Sequence, residues 1–434
     1  MNHGMQIAPG GTLTNTDPSF PLLHPRPVRG WLNDPNGLAY RDGRYHIFFQ
    51  YNPDSARHNA ITWGHMSSAD LLHWDEEPVA LRPQADGPDA FGCWSGVLTD
   101  DDGVPTAVYS GVLDRSSGRS QVTLARGSAD LRTWKQEGET AASMPDDSKV
   151  TAVRDPFIFK YDGQRYAIQG AGLADGCGAL LLYKVDNLAE WDYQGIWLTS
   201  EHPVAADVAQ ANIWECPQIV EVDGRWLLIV SLWKLVNGIH KLSGVSHMIG
   251  RMDDDHGRPV FVPETAGTTD GGTEFYAPQV LALQDRALLW GWSWEARSQE
   301  ASDSAGWAGL LTFPRELGIK NNNLSVTPAR ELLDHRRQEL PTAVRTSLPP
   351  VAEAAVQPHG EVTVRLDLVS PNGRRTIHSS VTNNGLRLFL DASIVEIFKE
   401  DSVATTLRVY PGPDERWELE VNGVATVEAW ELGL

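Results

Sequence analysis

The sequence has few cysteines, and their spacing does not suit a metal site or a disulfide framework. Three occur in 434 residues, at Cys93, Cys177 and Cys216. Zinc ribbons and disulfide-stapled domains need cysteine pairs at short, regular spacings. We therefore expect neither a structural zinc site nor a disulfide-based fold, and we interpret Cys216 as a small buried residue.

Positive charge is also scarce. Lys and Arg total 36 against 57 Asp and Glu, which gives a formal net charge of −21. Nucleic acids and anionic membranes bind basic surfaces, so neither is an expected partner. The first residues contain no basic segment followed by an apolar one, and no apolar run approaches the ~18 residues that span a bilayer. These absences predict a cytoplasmic protein.

Tryptophan, by contrast, is abundant, with 16 copies. Indole rings fill β-rich cores and also stack on sugar faces, so the number is compatible with either use at any one position. A length of 434 residues exceeds that of a typical domain, and 41% hydrophobic residues supply ample core. We expect two globular domains.

A weak internal repeat divides the first three quarters of the chain. Apolar alternating runs meet at Asp-Gly dipeptides, where glycine accepts the positive φ of a tight hairpin turn. Turns of this kind, with a weaker relative at the end of the series, recur about every 60 residues at Gly43, Gly103, Gly163, Gly224 and Arg286. A second echo, SADLLHW, SADLRTW and VDNLAEW, follows the first three hairpins. The period predicts an all-β fold with a five-bladed β-propeller over residues 1–325; an array of β-sandwiches is the alternative.

The remaining chain changes character. Residues 326–350 are polar and contain Pro341 and the Pro349-Pro350 pair, which predicts a linker. Alternating runs follow it as VTVRLDLVS, LRLFLDASIVEIF, TTLRVYP and RWELEVNG. They predict a smaller C-terminal β-sandwich over residues 351–434.

Three acidic residues have local settings that suit carbohydrate chemistry. Asp34 lies in GWLNDPNG beside an aromatic ring and an amide, although Asp-Pro-Asn-Gly is also ordinary turn chemistry. Asp155 follows an arginine that keeps it ionised, or that forms a plain surface ion pair with it. Glu215 enters an apolar strand in IWECPQIV, where partial desolvation suits a general acid; a structural paired glutamate is the alternative. All three lie at the first strands of repeats, which line a propeller's channel, so we expect them to converge.

Longer motifs around these acids resemble glycoside hydrolase family 32, the invertases, levanases, inulinases and sucrose-6-phosphate hydrolases. The three acidic blocks of the family occur as WLNDPNG at 31–37, RDP at 154–156 and ECP at 215–217. Similar blocks between about residue 24 and residue 411 are FFQYNP, WGHMSSADLLHW, CWSG, EFYAPQ, GWAGLLTFPREL and LFLDASIVEIF. The resemblance implies a retaining β-fructofuranosidase that removes the terminal fructose of sucrose and short fructooligosaccharides.

The resemblance also implies roles for individual residues. Asp34 would attack the anomeric carbon of fructose, and Glu215 would act first as acid and then as base. Asp155 would bind fructose hydroxyls and stabilise the transition state, with Arg154 holding it. Asn33 and the turn amides are expected to lower the pKa of Asp34. No metal or organic cofactor is required. The residues implied to line or tune the sugar pocket are Asn33, Gln50, His58, Trp94, Ser95, Arg154, Tyr276 and Trp294.

One loop departs from the family pattern. A second pocket tryptophan is usual between Gln50 and Trp63, where His58 stands here. Either the loop has shifted without consequence, or the leaving-group side differs and transfer of fructose to an acceptor other than water competes with hydrolysis. The adjacent Arg57 could bind a phosphate, which makes a sucrose-6-phosphate hydrolase the main alternative.

Other functions are less compatible with the sequence. A cytoplasmic enzyme rarely meets polymer, which disfavours an exo-levanase. A related five-bladed family that hydrolyses arabinan and xylan with inversion lacks the motifs quoted above. A carbohydrate-binding propeller without turnover would tolerate loss of an acid, yet all three acids are present. The expected partner is therefore a sugar substrate, and the oligomeric state stays open.

Overall fold

The computed structural model describes residues 5–7, 13–114 and 120–434. Five of its sheets are propeller blades, and two more form a β-sandwich, so the fold prediction is confirmed. A small hairpin of β1 (Met5–Ile7) and β2 (Leu13–Asn15) precedes the blades. Within these described ranges, no helix is long and apolar enough to cross a membrane.

Each blade is an antiparallel meander whose first strand is innermost. Blades 1 and 2 consist of β3 (Gly30–Arg41), β4 (Arg44–Asn52), β5 (Thr62–Ser68) and β6 (Asp75–Glu76), then β7 (Gly92–Asp101), β8 (Val104–Val112), β9 (Gln121–Gly127) and β10 (Trp134–Ala142). Blades 3 and 4 consist of β11 (Val150–Tyr161), β12 (Gln164–Leu173), β13 (Gly178–Asn187) and β14 (Glu190–Thr199), then β15 (Ile213–Val222), β16 (Arg225–Val236), β17 (Ile239–Asp255) and β18 (Arg258–Thr268). The first strands of neighbouring blades contact one another around the ring.

Blade 5 contains the connection that closes the ring. Its strands are β19 (Tyr276–Ala282), β20 (Ala287–Ser293), β22 (Leu310–Leu311), β23 (Arg315–Lys320) and β24 (Asn323–Pro328). Between them lie the short helix α1 (Gln299–Ala305) and β21 (Trp307–Ala308), which pairs in parallel with β3 of blade 1. Gly309 follows with φ 72°, and a Cβ there would lie 2.0 Å from the carbonyl oxygen of Leu32, so a side chain does not fit.

The hairpin turns have the geometry that the Asp-Gly pairs predict. In the first turn, Asp42 and Gly43 have φ values of 50° and 79°. Two consecutive positive φ values are typical of a type I′ turn, whose twist matches that of the flanking strands. Both residues also have positive φ in the pairs 102–103, 162–163 and 223–224. The fifth turn, at Asp285 and Arg286, has neither glycine nor positive φ, which explains its weaker signal.

The second echo closes the turn between the third and fourth strands of blades 1 to 3. In each copy the tryptophan Nε1 donates to the carbonyl of the leucine three residues earlier: Trp74 to Leu71, Trp134 to Leu131 and Trp191 to Leu188. Each indole also packs against the propeller. These tryptophans therefore have a structural role.

The C-terminal sandwich begins earlier than predicted. One sheet consists of β25 (Arg336–Glu339), β34 (Ala425–Leu432), β27 (Val351–Pro358), β30 (Leu386–Asp391), β31 (Ile394–Lys399) and β32 (Ala404–Arg408). The other consists of β26 (Arg345–Leu348), β33 (Arg416–Asn422), β28 (Val362–Ser370) and β29 (Gly373–Thr382). The stretch 326–350 is thus not a linker: it completes blade 5, forms a 3₁₀ helix (Arg330–His335) and gives one strand to each sandwich sheet.

Buried charges join the two domains. Arg315 of blade 5 donates to Glu396 of the sandwich and to Asp270 of the propeller, at 2.6 to 2.9 Å. The two ring nitrogens of His24 lie 2.7 Å from Asp391 and 2.9 Å from Glu396. All five side chains are buried. Because hydrogen bonds satisfy these charges, the network fixes how the sandwich sits against the propeller.

Candidate active site

A cavity of about 350 Å³ opens on the propeller axis. Asp34 of β3, Asp155 of β11 and Glu215 of β15 all lie in its wall, so the structure brings the three sequence-predicted acids together. Aromatic and apolar side chains form much of the remaining lining: Trp31, Trp94, Trp233, Leu242, Tyr276 and Trp292. Ionisable groups among flat rings are typical of a site that binds and processes a sugar.

One repeated backbone feature aims these side chains at the axis. The first strand of every blade has a β-bulge at the same place, after Leu32, Cys93, Arg154, Glu215 and Tyr276. A bulge interrupts the alternation of a strand and re-aims its side chains. The bulged residues of blades 3 to 5 have positive φ: Asp155 57°, Cys216 45° and Ala277 46°. The 61-residue separations of the hydrogen-bonded pairs Ser95–Asp34, Arg154–Glu215 and Glu215–Tyr276 are the blade repeat itself.

Asp34 accepts hydrogen bonds from three blades. Ser95 Oγ donates to Oδ2 at 2.6 Å, Gln50 Nε2 donates to Oδ2 at 3.1 Å, and Asn33 Nδ2 donates to Oδ1 at 3.1 Å. The thiol of Cys216 lies 3.4 Å from Oδ2. Burial nevertheless raises the pKa of Asp34, and the negative charge of Glu215 raises it further. Together these effects outweigh the hydrogen bonds from Ser95 and Asn33, which lower the pKa. The expected lowering of this pKa was therefore wrong, because desolvation is the larger effect.

Asp155 is held by the neighbouring blade. The amide nitrogen and the thiol of Cys216 lie 3.0 and 3.5 Å from Oδ2. Burial and the charge of Glu215 raise the pKa of Asp155 to about 7, and the lowering effect of Arg154 is smaller. The expectation that Arg154 keeps its sequence neighbour ionised was therefore wrong.

Glu215 has two strong donors. Arg154 Nη1 donates to Oε1 and Tyr276 Oη donates to Oε2, both at 2.7 Å. Burial and the charge of Glu215 raise the pKa of Tyr276 well above its ordinary value, so its hydroxyl stays protonated and remains a donor. Both oxygens of the carboxylate are thereby oriented, which suits proton transfer at a fixed point in the cavity.

The family assignment follows from comparison with known proteins. Residues 24–328 match the glycosyl hydrolases family 32 N-terminal domain, and residues 351–431 match the C-terminal domain of that family. The chain belongs to glycosyl hydrolase family 32. It is therefore a glycoside hydrolase, and its relatives support a β-fructofuranosidase.

Relatives in this family cover nearly the whole chain. A raffinose invertase of Escherichia coli is 31% identical over 92% of this chain and 90% of its own length. A sucrose-6-phosphate hydrolase of Klebsiella pneumoniae is 32% identical over 91% of this chain and 90% of its own. A solved β-fructofuranosidase of Bombyx mori in complex with sucrose superposes with a TM-score of 0.80, at 25% identity over 96% of this chain and 95% of that one.

Most of the sequence-predicted sugar-binding residues line the cavity, namely Asn33, Gln50, His58, Trp94, Arg154 and Tyr276. Ser95 reaches the cavity through its bond to Asp34. The predicted rim residue Trp294 does not line the cavity but packs against Tyr276 and Trp292, with centroids 5.9 and 6.2 Å apart. Sequence reasoning missed Trp292, Trp233 and Leu242 as wall residues. No motif marks Trp233 and Leu242, which lie on the hairpin between β16 and β17 of blade 4.

Loop 53–61 contributes His58 to the cavity wall, and helix α1 lies against this loop. His58 lies edge-on to Trp31 and Trp94, with centroids 6.0 and 6.3 Å apart, and so occupies the wall as its sequence position predicts. The adjacent Arg57 forms a forked ion pair with Asp303 of α1. Gln299 of the same helix donates to the carbonyl of Ala56 at 3.0 Å. The helix therefore clamps the loop and neutralises Arg57.

Proposed function

We propose that the enzyme hydrolyses the terminal β-fructofuranosyl unit of sucrose and short fructooligosaccharides with retention of configuration. Asp34 would be the nucleophile, Glu215 the acid and base, and Asp155 the group that binds fructose hydroxyls. One observation carries the proposal: three carboxyl groups meet in one aromatic-lined cavity, and only one of them, Glu215, has an arginine and a tyrosine as donors.

In the first step, a carboxylate oxygen of Asp34 attacks the anomeric carbon while the bond to the leaving sugar breaks. Glu215 delivers its proton to the departing oxygen, so the leaving sugar is released neutral. The raised pKa values of Asp34 and Asp155 indicate that three crowded carboxyls do not all ionise together. Acid catalysis requires that Glu215 carries a proton when the leaving sugar departs.

In the second step, water attacks the same carbon of the covalent fructosyl intermediate. Glu215, now a carboxylate, takes a proton from that water, and the bond to Asp34 breaks to release fructose. Arg154 and Tyr276 donate hydrogen bonds to Oε1 and Oε2 and hold this carboxylate in place. The cycle ends with Glu215 protonated again.

Asp155 is suited to recognition because its backbone and side chain are both fixed. Its own amide donates to Ser110 Oγ at 2.7 Å, while Cys216 binds Oδ2. A buried carboxylate that accepts hydrogen bonds from the fructose hydroxyls binds the sugar more tightly in the transition state, because positive charge develops on the ring.

A substrate without a phosphate fits the leaving-group side better than sucrose 6-phosphate does. Among the described residues that line the cavity, the sole guanidinium is that of Arg154, which is bonded to Glu215. Arg57, the cation that the sequence suggested for a phosphate, is paired with Asp303. The phosphate dianion of sucrose 6-phosphate would therefore lie near three carboxyl groups, and each arginine named here is already paired with an acid.

Product analysis tests the proposal. We would give the purified enzyme sucrose, sucrose 6-phosphate, 1-kestose and levan in parallel, with Asp34→Asn as the inactive control. The expected result is equal glucose and fructose from sucrose, with loss of turnover in the control by about 10⁴-fold or more. Glucose in excess of fructose, with longer oligosaccharides, would instead identify a transferase. Turnover of the phosphate ester alone, or of no fructoside, would contradict the proposal.

Freeing Arg57 tests the phosphate argument. Asp303→Asn should raise the ratio of activity on sucrose 6-phosphate to activity on sucrose by about threefold to tenfold, since a newly unpaired cation in a partly exposed position attracts a phosphate weakly. Asp285→Asn is the matched control, because it removes the exposed partner of Arg330 on another part of blade 5. An equal ratio in both variants would show that Arg57 does not reach the leaving sugar.

A further inference from the structure

The hairpin between β16 and β17 projects beyond its blade at the mouth of the cavity. These strands stay paired out to Val236 and Ile239, whereas the pairing of β16 with β15 ends at Trp233. We call residues 233–242 the arm. A register shift between Ser231 and Trp233 twists the strand where the arm begins. Trp233 and Leu242 both line the cavity.

The base of the arm is braced by one asparagine. Asn212 donates through Nδ2 to the carbonyl of Gly176 in blade 3 at 3.0 Å, and its Oδ1 accepts from the amide of Leu235 at 2.6 Å. Its own amide donates to the carbonyl of Trp233 at 3.0 Å. These bonds tie the arm to two blades and give the Trp233 ring a defined position.

Trp233 lies in the middle of a stack of planar groups. Its ring is parallel to that of His240, with centroids 3.6 Å apart. The guanidinium carbon of Arg154 lies 5.1 Å from the Trp233 ring centroid and 5.9 Å from that of Trp94. Arg154 is thus a buried cation in contact with two indoles, while His240 is exposed at the outer end.

We propose that Trp233 is a positioning residue for Glu215 and acts through the guanidinium of Arg154. An arginine packed on aromatic faces loses hydration there and keeps its edge N–H groups directed at a carboxylate. Here that edge donates to Glu215 Oε1 at 2.7 Å. The inference rests on the proposed function, in which Glu215 supplies the proton.

The consequence can be read from the groups that face Glu215. Arg154 and Asp155 face it from β11, Tyr276 from β19, Asp34 from β3, and Cys216 is its neighbour on β15. Arg154 is the single cation among them. If its hydrogen bond loosens, the negative charge that Glu215 carries in the cycle is less well compensated and its carboxyl loses its fixed orientation, so the alkaline limb of activity should move upward and proton transfer should slow.

The test is the pH dependence of kcat/KM for sucrose. Trp233→Leu should move the alkaline limb upward by about half a pH unit, since a cation–π contact is modest, and should lower kcat up to about tenfold. Trp233→Phe should restore most of the wild-type kcat and of the wild-type position of the alkaline limb, because an aromatic ring again covers Arg154. His240→Leu, at an exposed position, should move the limb in the same direction by less.

Trp226→Leu is the matched control. Trp226 is another half-buried tryptophan on β16, and it packs on Phe159 away from the arm. Its loss should leave the alkaline limb unmoved. An unmoved limb in both Trp233→Leu and His240→Leu, with only KM changed, would overturn the inference and make Trp233 a contact of the leaving sugar. Failure of the proposed function would look different, because Glu215→Gln would then retain full activity on sucrose.

Discussion

The charge network between the domains gives a stability prediction whose size follows from the structure. Arg315→Met keeps an unbranched side chain of similar length but removes the hydrogen bonds to Glu396, Asp270 and Thr406. Two buried carboxylates then lose their shared cation. Removing one partner of a buried ion pair costs about 3–5 kcal/mol, because the remaining charge stays desolvated. Phe275 and Phe398 lie against the guanidinium and can pack on the methionine instead.

An exposed arginine in the 3₁₀ helix that follows the same blade provides the control. Arg330 is 65% exposed and lies 3.3 Å from Asp285, itself 63% exposed. Removing such a surface pair costs about 0–1 kcal/mol. Arg315→Met should therefore destabilise the protein several-fold more than Arg330→Met, although both variants lose one positive charge and one guanidinium.

The assay is urea unfolding followed by tryptophan fluorescence, with circular dichroism as a second probe. Coincident transitions would show that the domains unfold together. The double variant Arg315→Met/Glu396→Gln should lose about 1–3 kcal/mol less than the sum of the single variants, because the unpaired carboxylate is gone. If Arg315→Met is no less stable than Arg330→Met, the reasoning from buried charge is refuted.

Two further predictions concern pH. Burial lowers the pKa of His24, but its bonds to Asp391 and Glu396 outweigh burial and raise it, while the same contacts lower the pKa values of the two acids. The stabilisation should therefore fade above about pH 6.5 as His24 deprotonates and below about pH 4 as the acids protonate; thermal melts of His24→Gln should lack the alkaline decline. Ser95→Ala removes a bond that favours ionised Asp34, so the acidic limb of kcat/KM should move upward by about one pH unit. An unchanged limb would mean that another group controls it.

The sequence determined the features that depend on local geometry. Asp-Gly between alternating runs is a strong signal for a type I′ hairpin turn, so Gly43 and its three equivalents marked four of the five blades. The motifs around Asp34, Asp155 and Glu215 marked the channel strands, because every blade repeats the same bulge about 60 residues on. Local chemistry of this kind needs no knowledge of distant contacts.

The sequence-based prediction was wrong where polar composition was taken as evidence for a linker. Residues 326–350 contain several prolines and many polar residues, yet they form strands of blade 5 and of both sandwich sheets. A short edge strand has few residues and one exposed side, so its pattern resembles that of a loop. The partner that completes it lies far along the chain, as Trp430 does for Glu339.

The tertiary structure alone decided which charged side chains pair with each other in the site. Arg154 stands next to Asp155 in the sequence, but the bulge between them turns the guanidinium to Glu215, 61 residues away, and leaves Asp155 to Cys216. The sequence suggested Arg57 as a cation for a phosphate, but α1 brings Asp303 to it. The arm places Trp233 over Arg154, a contact that no sequence motif indicated. Sequence specifies each strand and turn through short-range rules. Contacts between distant residues, and the opposing effects of burial and charge on the pKa values of the acids, arise only when the ring closes and distant blades share one cavity.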